Sequence, residues 1–418
     1  MIALYAVTAT LARSADAGAI VGFVLLATAG QGDAAVAGLL AAALTAPHLA
    51  GPLIAPLLDR SAHPAAVLAT AFACYALCVG AAAAAFTVGA TALSVIALVI
   101  AGACGPLLTG GLSSRLAGLV RDERSAQRRA QGMDALTYGL AGTLGPVAIA
   151  LIASAVTPLA AILVVAAFAL VAAALLTALP VGRPGATAER NDAPRPSFRK
   201  NLAVLFSVPP LRRVTVGTGV TAFAVGAMPL LAVAAATLHP LGPSATAVLV
   251  SAFGVGNLVG SVAMTVRPLR GSPERAVARA AVAIALFAAL CALAPTLILA
   301  AAAFALTGLA SAVQFTSSLA ARAEYSPPEA RAQVFVTMAG LKVAFSSAGV
   351  AIAGIVASTA PLALLVGAAA TAALAAALMA LDAGLGRLRE RRGRSEQDAP
   401  RRQAAARSIS RETGEPSP

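Results

Sequence analysis

The chain has 418 residues, of which 59% are apolar and only 11% are charged, and its formal net charge is +13. Soluble proteins carry about 25% charged residues, so soluble enzymes, secreted disulfide scaffolds and disordered chains fit this composition poorly. The basic residues lie between apolar stretches and in the C-terminal tail, and aromatic residues make up only 4% of the chain. This distribution favours an integral membrane protein over a nucleic-acid-binding one.

Apolar stretches of about 20 residues, the length that crosses a bilayer, recur along the whole chain. In chain order they occupy residues 3–29, 36–58, 65–88, 92–112, 133–155, 159–180, 213–237, 244–266, 277–293, 297–320, 332–357 and 361–385. The sequence therefore predicts an all-α integral membrane protein with twelve transmembrane helices.

The positions of the basic residues predict the orientation of these spans. Of the 30 Lys and Arg residues, Arg13 and Lys342 fall inside spans, and the other 28 lie in the tail or in even-numbered connections, including their helix ends. The odd-numbered connections hold no Lys or Arg. Because cytoplasmic loops are enriched in basic residues, we expect a multi-pass protein of the cytoplasmic (inner) membrane with both termini in the cytoplasm.

The spans divide into two halves that resemble each other. We expect an N-terminal six-helix half over 1–180, a cytoplasmic linker over 181–212, a C-terminal six-helix half over 213–385, and a disordered basic cytoplasmic tail over 386–418. The motif at 129–131 recurs at 331–333, and the motif at 48–51 is echoed at 257–260. These matches place span 5 over span 11 and span 2 over span 8, the pattern of a duplicated transporter with its site between the halves.

Two short motifs accompany this 6+6 arrangement. Asp59 and Arg60 follow span 2 within the stretch 55–63, and span 5 contains a glycine-rich stretch that ends in Gly145 and Pro146. Over residues 1–385 the chain resembles the major facilitator superfamily, and the span 5 stretch resembles that of bacterial drug and small-molecule proton antiporters. The resemblance implies that the loop after span 2 latches a cytoplasmic gate. The gating candidates are Asp59, Arg60, Asp134, Gly142, Gly145 and Pro146.

These gating candidates also have structural interpretations. Asp59 and Arg60 are also consistent with an ordinary charged loop end. The glycines are also consistent with tight helix packing, because small residues let helices approach closely. Asp134 opens predicted span 5, where an acid suits the positive end of a helix, so it is expected to be a cap or a gate rather than a substrate contact.

Charged residues at membrane depth are functional candidates by default. Arg13 and Asp16 are three residues apart and so share a helix face, which predicts a neutral pair that protonation of Asp16 would break. His48, near the centre of span 2, is able to carry a proton near neutral pH. Asp16, Arg13 and His48 are therefore the proton-coupling candidates. The alternatives are a static ion pair and a hydrogen-bonded structural histidine.

The candidates for lining a substrate cavity are Lys342, Asn257, Gln314 and Tyr138. Lys342 in span 11 would attract an anionic substrate group, pair with an acid from another span, or extend toward the cytoplasm. Asn257 and Gln314 would either line the cavity or form hydrogen bonds between helices. Tyr138 offers an aromatic surface in a chain that contains no Trp.

The sequence favours a secondary active transporter that works by alternating access and exports a small, largely apolar molecule by proton antiport. The alternatives are a proton-coupled uptake permease for a small metabolite and a non-transporting membrane sensor. We expect no enzyme activity, cofactor, metal site or nucleic-acid partner, because the sequence contains no phosphate-binding GxxxxGK[ST] segment, no metal-ligand spacing and no nucleophile–base arrangement. The expected partners are a small-molecule substrate, protons and the lipid bilayer, and the chain is expected to be a monomer.

Overall fold

The structure, a computed structural model, describes residues 1–28, 34–180, 198–238, 245–268, 270–356 and 360–413. In this part of the chain, eleven helices and one helix pair bent by 48° are long and apolar enough to cross a membrane. Numbered as spans 1 to 12, they are Ile2–Ala27, Val36–Arg60, Pro64–Thr87, Thr91–Gly111, Arg124–Ala155, Pro158–Leu176, the bent pair Pro209–Gly226 and Met228–Leu238, Ala245–Val266, Pro273–Leu293, Leu297–Tyr325, Pro328–Val356 and Pro361–Gly386. These spans confirm the predicted all-α membrane fold with twelve transmembrane helices.

Local sequence signals define several of the span ends. The Thr157 hydroxyl accepts a hydrogen bond from the backbone N–H of Ala160 at 3.0 Å, and Pro158 follows as the first residue of span 6. A hydroxyl cap followed by proline is a common helix start. Between spans 3 and 4 the chain turns at Gly89, whose φ of +80° suits a residue without a side chain.

Several span boundaries differ from the prediction, and those of spans 5, 7 and 10 are three of them. Span 5 begins at Arg124 rather than 133, span 7 begins at Pro209 rather than 213, and span 10 ends at Tyr325 rather than 320. An apolar stretch defines only the part of a helix that needs hydrocarbon, whereas polar residues such as Arg and Gln continue the same helix. As a consequence, Asp134 lies well inside span 5 and Arg322 lies inside span 10.

The linker and the tail are partly described. Residues 181–197 of the predicted linker lie outside the described residues, and Phe198–Ser207 forms a helix that precedes span 7. The last helix runs from Pro361 to Thr413 without a break at residue 385. The disorder that we expected for the tail over 386–418 stays a prediction.

Each set of six spans buries its own apolar core. The core of the first six includes Phe23, Phe72 and Tyr75, and a separate core in the last six includes Phe304. Between the two sets, span 5 packs against span 8 and span 11 packs against span 2. This exchange of partners is the one expected for a repeat that matches span 5 with span 11 and span 2 with span 8.

The outer surface of the spans is apolar. Large aliphatic side chains are strongly exposed there, including Leu77 at 67% and Ile298 at 82%. Contiguous apolar surface of this extent is unusual for a soluble protein, and in a bilayer it contacts lipid. Together with the twelve spans, this surface identifies a multi-pass membrane protein.

Candidate functional site

A cavity of about 320 Å³ lies between the two sets of six spans. Side chains from spans 1, 2, 4, 5, 10 and 11 line it, so both sets contribute to its wall. Its lining residues include Arg13 and Asp16 of span 1, His48 of span 2 and Lys342 of span 11. We refer to this space as the central cavity.

Asp16 and His48 form one pair in the wall of the central cavity. The His48 Nε2 atom lies 3.4 Å from the Asp16 Oδ1 atom, and the two side chains are 9% and 19% exposed. His48 lies in a short 3-10 helix, Ala46–Ala50, which has Pro47 in its first turn. Gly105 of span 4 lies directly against the imidazole, and a methyl group at that position would collide with it. Span 4 therefore leaves room for His48 to reach Asp16.

Arg13 pairs with Asp134 and not with Asp16. The Arg13 Nη2 atom lies 2.8 Å from the Asp134 Oδ1 atom, and both side chains are almost completely buried. The same oxygen accepts a hydrogen bond from the Tyr5 hydroxyl at 2.6 Å. The predicted Arg13–Asp16 pair is thus wrong, because Arg13 extends from span 1 onto span 5 while Asp16 faces span 2. Asp134 is also not a helix cap, because span 5 begins ten residues earlier.

Further polar groups complete the environment of Arg13. Its guanidinium donates to the Asp134 carbonyl at 3.0 Å and to the Ser113 hydroxyl at 2.8 Å, and it also donates to the Thr137 hydroxyl. It lies 3.5 Å above the centre of the Tyr138 ring, and Tyr138 lines the cavity. Because the guanidinium and the carboxylate form an ion pair, they carry little net charge into the central cavity.

Two further cations line the cavity from the last six spans. The Lys342 Nζ atom lies 3.8 Å from the centre of the Phe315 ring, and among the described residues no carboxylate lies within ion-pair distance of it. Arg322 is 1% exposed, and its Nη2 atom lies 3.5 Å from the Ser318 hydroxyl. No carboxylate of the described residues pairs with Arg322 either.

Hydrogen bonds join the two halves on the side of the molecule where the even-numbered connections lie, which we call the basic side. The Asp59 carboxylate, at the end of span 2, accepts hydrogen bonds from the backbone N–H groups of Ala332 and Gln333 at 3.0 and 2.9 Å. It also lies 3.3 Å from Arg115, whose pKa burial lowers. Asp59 therefore caps the start of span 11 from the opposite half.

A second contact on the basic side involves exposed charges. The Arg124 guanidinium lies 2.6 Å from the Glu324 carboxylate, so it links the start of span 5 to the end of span 10. Arg60, the other predicted gating residue of the loop, is exposed, and among the described residues it has no ion pair or hydrogen bond across the halves. Of the two neighbours, only Asp59 connects the halves.

No model of a known protein family matches the chain, and no curated protein matches it. Solved structures do match. A bacterial homologue of the iron transporter ferroportin, in an outward-facing state, is 15% identical with a TM-score of 0.74, covering 92% of this chain and 99% of that one. The E. coli fucose:proton symporter FucP is 16% identical with a TM-score of 0.70, covering 91% and 98%. The human organic anion transporter MFSD10 is 18% identical with a TM-score of 0.63, covering 90% and 98%. The chain has the major facilitator fold.

Within this major facilitator fold, the glycines of span 5 differ in their surroundings. A methyl group at Gly145 would lie 3.2 Å from the Ser14 Cα atom, so Gly145 permits close packing of spans 1 and 5. Gly142 lines the central cavity, and no atom lies within 4 Å of the position that a methyl group would take there. Pro146 lies inside the same helix.

Two predicted cavity residues lie outside the cavity wall. The Gln314 side chain is buried and donates to the Thr221 hydroxyl at 3.1 Å, which links span 10 to span 7. The Asn257 amide lies 3.4 Å from the Gly308 carbonyl, between spans 8 and 10. Both contacts correspond to the alternative of hydrogen bonds between helices, and a role for these two residues at the site stays a prediction.

Arg322 is the cavity residue that the sequence analysis missed. It was counted among the basic residues at helix ends, because the apolar stretch of span 10 stops at residue 320. Ser318 lies four residues before Arg322 and so shares its helix face, and Ser318 is buried. Extending the helix by one turn along that face would have placed Arg322 in the cavity.

Proposed function

We propose that the chain is a secondary active transporter of the cytoplasmic membrane, with both termini in the cytoplasm, and that it works by alternating access. The central cavity supports this proposal, because residues of both halves line it near the middle of the spans. A site between two six-helix repeats becomes accessible from either side when the halves rock against each other. The basic side then corresponds to the cytoplasm.

Proton coupling is assigned to the Asp16–His48 pair. It joins a carboxylate to an imidazole, the side chain that exchanges a proton near neutral pH, and it lies in the cavity wall rather than in the lipid-facing surface. Arg13 is not assigned as a direct proton carrier, because its guanidinium stays charged and forms an ion pair with Asp134. Together with Asp134 it joins span 1 to span 5.

Asp59 is assigned as the latch of the cytoplasmic gate. Two of its partners, the backbone N–H groups of Ala332 and Gln333, belong to span 11 of the opposite half, so opening the basic side requires these two contacts to break. The close approach of Gly145 to span 1 and the open space at Gly142 suit helices that slide or bend during that change.

Export by proton antiport is the direction that the glycine-rich stretch of span 5 favours, and uptake together with a proton is the alternative. The two directions differ in the sign of the proton movement. When substrate enters a vesicle down its gradient, antiport carries protons out, whereas co-transport carries protons in.

Purified protein in liposomes that contain the pH indicator pyranine tests the proposal. A panel of small organic anions, amides and amines is added outside, and the internal pH is compared with that of protein-free vesicles. Alkalinisation identifies antiport, and acidification identifies co-transport. If the folded protein changes neither the internal pH nor the amount of any compound inside the vesicles, the result would favour the alternative of a membrane sensor.

Asp16→Asn is the informative variant in this assay. It keeps the size of the side chain but holds no exchangeable carboxyl proton, so we expect substrate-dependent proton movement to be lost. Asp382→Asn is the matched control, because Asp382 bonds to Arg212 and Arg213 within the last six spans, away from the cavity. Equal proton movement in both variants would contradict the assignment of Asp16.

A further inference from the structure

The last six spans present two cations to the central cavity, and among the described residues no carboxylate lies within ion-pair distance of either. Arg322 is buried, and its Nη2 atom lies 3.5 Å from the Ser318 hydroxyl. Lys342 rests on the ring of Phe315. An unbalanced buried charge is strongly destabilising, so this arrangement needs an explanation.

The other buried arginines of this protein show that the fold balances such charges elsewhere. Arg13 is paired with Asp134, and Arg115 is paired with Asp59 and donates to the Leu58 carbonyl at 3.0 Å. Arg322 differs from both, because none of the described carboxylates reaches it. Arg322 lies in the cavity wall, where a bound ligand is able to supply the negative charge that the protein does not.

The charges around the cavity leave a positive excess. Arg13 and Asp134 cancel each other, and Asp16 is the one further carboxylate among the described lining residues. It lies beside His48 and balances at most one of Lys342 and Arg322. One positive charge therefore remains when His48 is neutral, and two remain when it is protonated.

The same cavity also offers an apolar surface next to these cations. The rings of Tyr138 and Phe315 meet edge to face with centres 4.9 Å apart, and Val343 and Pro106 line the cavity as well. Its volume of about 320 Å³ is at the small end of ordinary ligand pockets. A small molecule with an apolar body and one acid group matches this combination.

We propose that the central cavity binds a small organic anion, with its acid group at Lys342 and Arg322 and its apolar body against Tyr138 and Phe315. The inference rests on the proposed function, since it names the substrate class of the same cavity. It keeps the apolar body that the sequence suggested and adds an acid group. The alternative is that Asp16 leaves His48 and pairs with Lys342 in the other conformation.

Thermal unfolding of the full chain in detergent tests the unbalanced charges without any ligand. Lys342→Gln and Arg322→Gln are each expected to raise the melting temperature by a few degrees, because they remove a buried charge that has no partner. Arg115→Gln is the matched control and is expected to lower it, because it leaves Asp59 without its cation. A clear decrease for both cavity variants would show that these cations are already balanced, which would overturn the inference.

Ligand binding is tested with aromatic probes of matched size. Benzenesulfonate, phenylphosphonate and benzoate carry an acid group, benzamide is neutral, and benzylamine is a cation. We expect at least one anion to raise the melting temperature of the wild-type protein, and we expect Lys342→Gln to weaken its binding at least tenfold. Stabilisation by benzamide or benzylamine alone, by no probe, or equally in Lys342→Gln would overturn the inference.

The two proposals fail separately. An anion that binds through Lys342 in detergent but is not moved in liposomes would leave the anion site standing and would contradict transport. Movement of a neutral or cationic compound alone, with proton movement that depends on Asp16, would support transport and contradict the anion site. If anions bind only when Asp16 is also replaced by Asn, Asp16 is the natural partner of Lys342 and the inference fails.

Discussion

Removing the Asp59 carboxylate is expected to open the basic side of the protein. Asp59 accepts two backbone hydrogen bonds from the start of span 11 and pairs with Arg115. Hydrogen bonds to charged groups contribute about 1.5–3 kcal/mol each. Because contributions within one network are not additive, we take about 3 kcal/mol for Asp59→Ala, which changes the ratio of open to closed states by about 150-fold. Asp59→Asn keeps one acceptor oxygen, so we expect it to change the ratio of open to closed states by only about tenfold.

Spin-label distance measurements across the basic side check this value. Labels at Arg121→Cys and Glu329→Cys occupy exposed positions on the two halves, in a background without the natural Cys74, Cys78, Cys104 and Cys291. The long-distance population should grow in Asp59→Ala, less in Asp59→Asn, and not in Asp382→Asn, whose partners lie within one half. An unchanged distance distribution in Asp59→Ala would refute the latch.

Other variants have equally defined outcomes. Gly145→Val should lower the melting temperature or prevent folding, because its side chain would meet the span 1 backbone, whereas Gly142→Ala, with open space around it, should melt like the wild type; similar behaviour of the two would contradict the packing account. Tyr5→Phe should destabilise the protein by about 1–2 kcal/mol, because a hydrogen bond to the buried Asp134 carboxylate is lost, and unchanged thermal unfolding would argue against that bond. Gly105→Ala should reduce substrate-dependent proton movement in pyranine-loaded liposomes, because a methyl group there displaces His48, and full activity would weaken the Asp16–His48 assignment.

The transmembrane architecture was predictable because its cause is local. A span needs about 20 apolar residues whatever it packs against, and each of the twelve stretches in the sequence overlaps a span of the structure. Charges inside those stretches are costly, so Arg13, Asp16 and Lys342 stood out before their surroundings were known. Both Asp16 and Lys342 do line the central cavity.

The partners of these charges were not predictable, because they depend on how helices rotate and cross. Spacing along span 1 suggested that Arg13 meets Asp16, but the two side chains diverge toward spans 5 and 2. Asp134 looked like a helix start because hydropathy marks where the apolar stretch begins, not where the backbone becomes helical. The same error at the other end of a span hid Arg322.

The charges of the central cavity bear on the direction of transport. Protonation of the Asp16–His48 pair adds a positive charge to a cavity that Lys342 and Arg322 already line. If the proton and the acid group lie about 7 Å apart, they interact by about 2.4 kcal/mol at an effective dielectric constant of about 20, so the proton would tighten binding of an anion about 50-fold.

By thermodynamic reciprocity the anion raises the affinity for the proton by the same factor. A proton and an anion that favour each other occupy the cavity together, and a pair that moves together is co-transported. Antiport requires the opposite sign, in which each ligand displaces the other. The glycines of span 5 suggest antiport, but they do not outweigh the attraction between the proton and the anion. Close helix packing alone accounts for the contact of Gly145 with Ser14. If the cavity takes an organic anion, its charges therefore favour uptake with a proton over export in exchange for one.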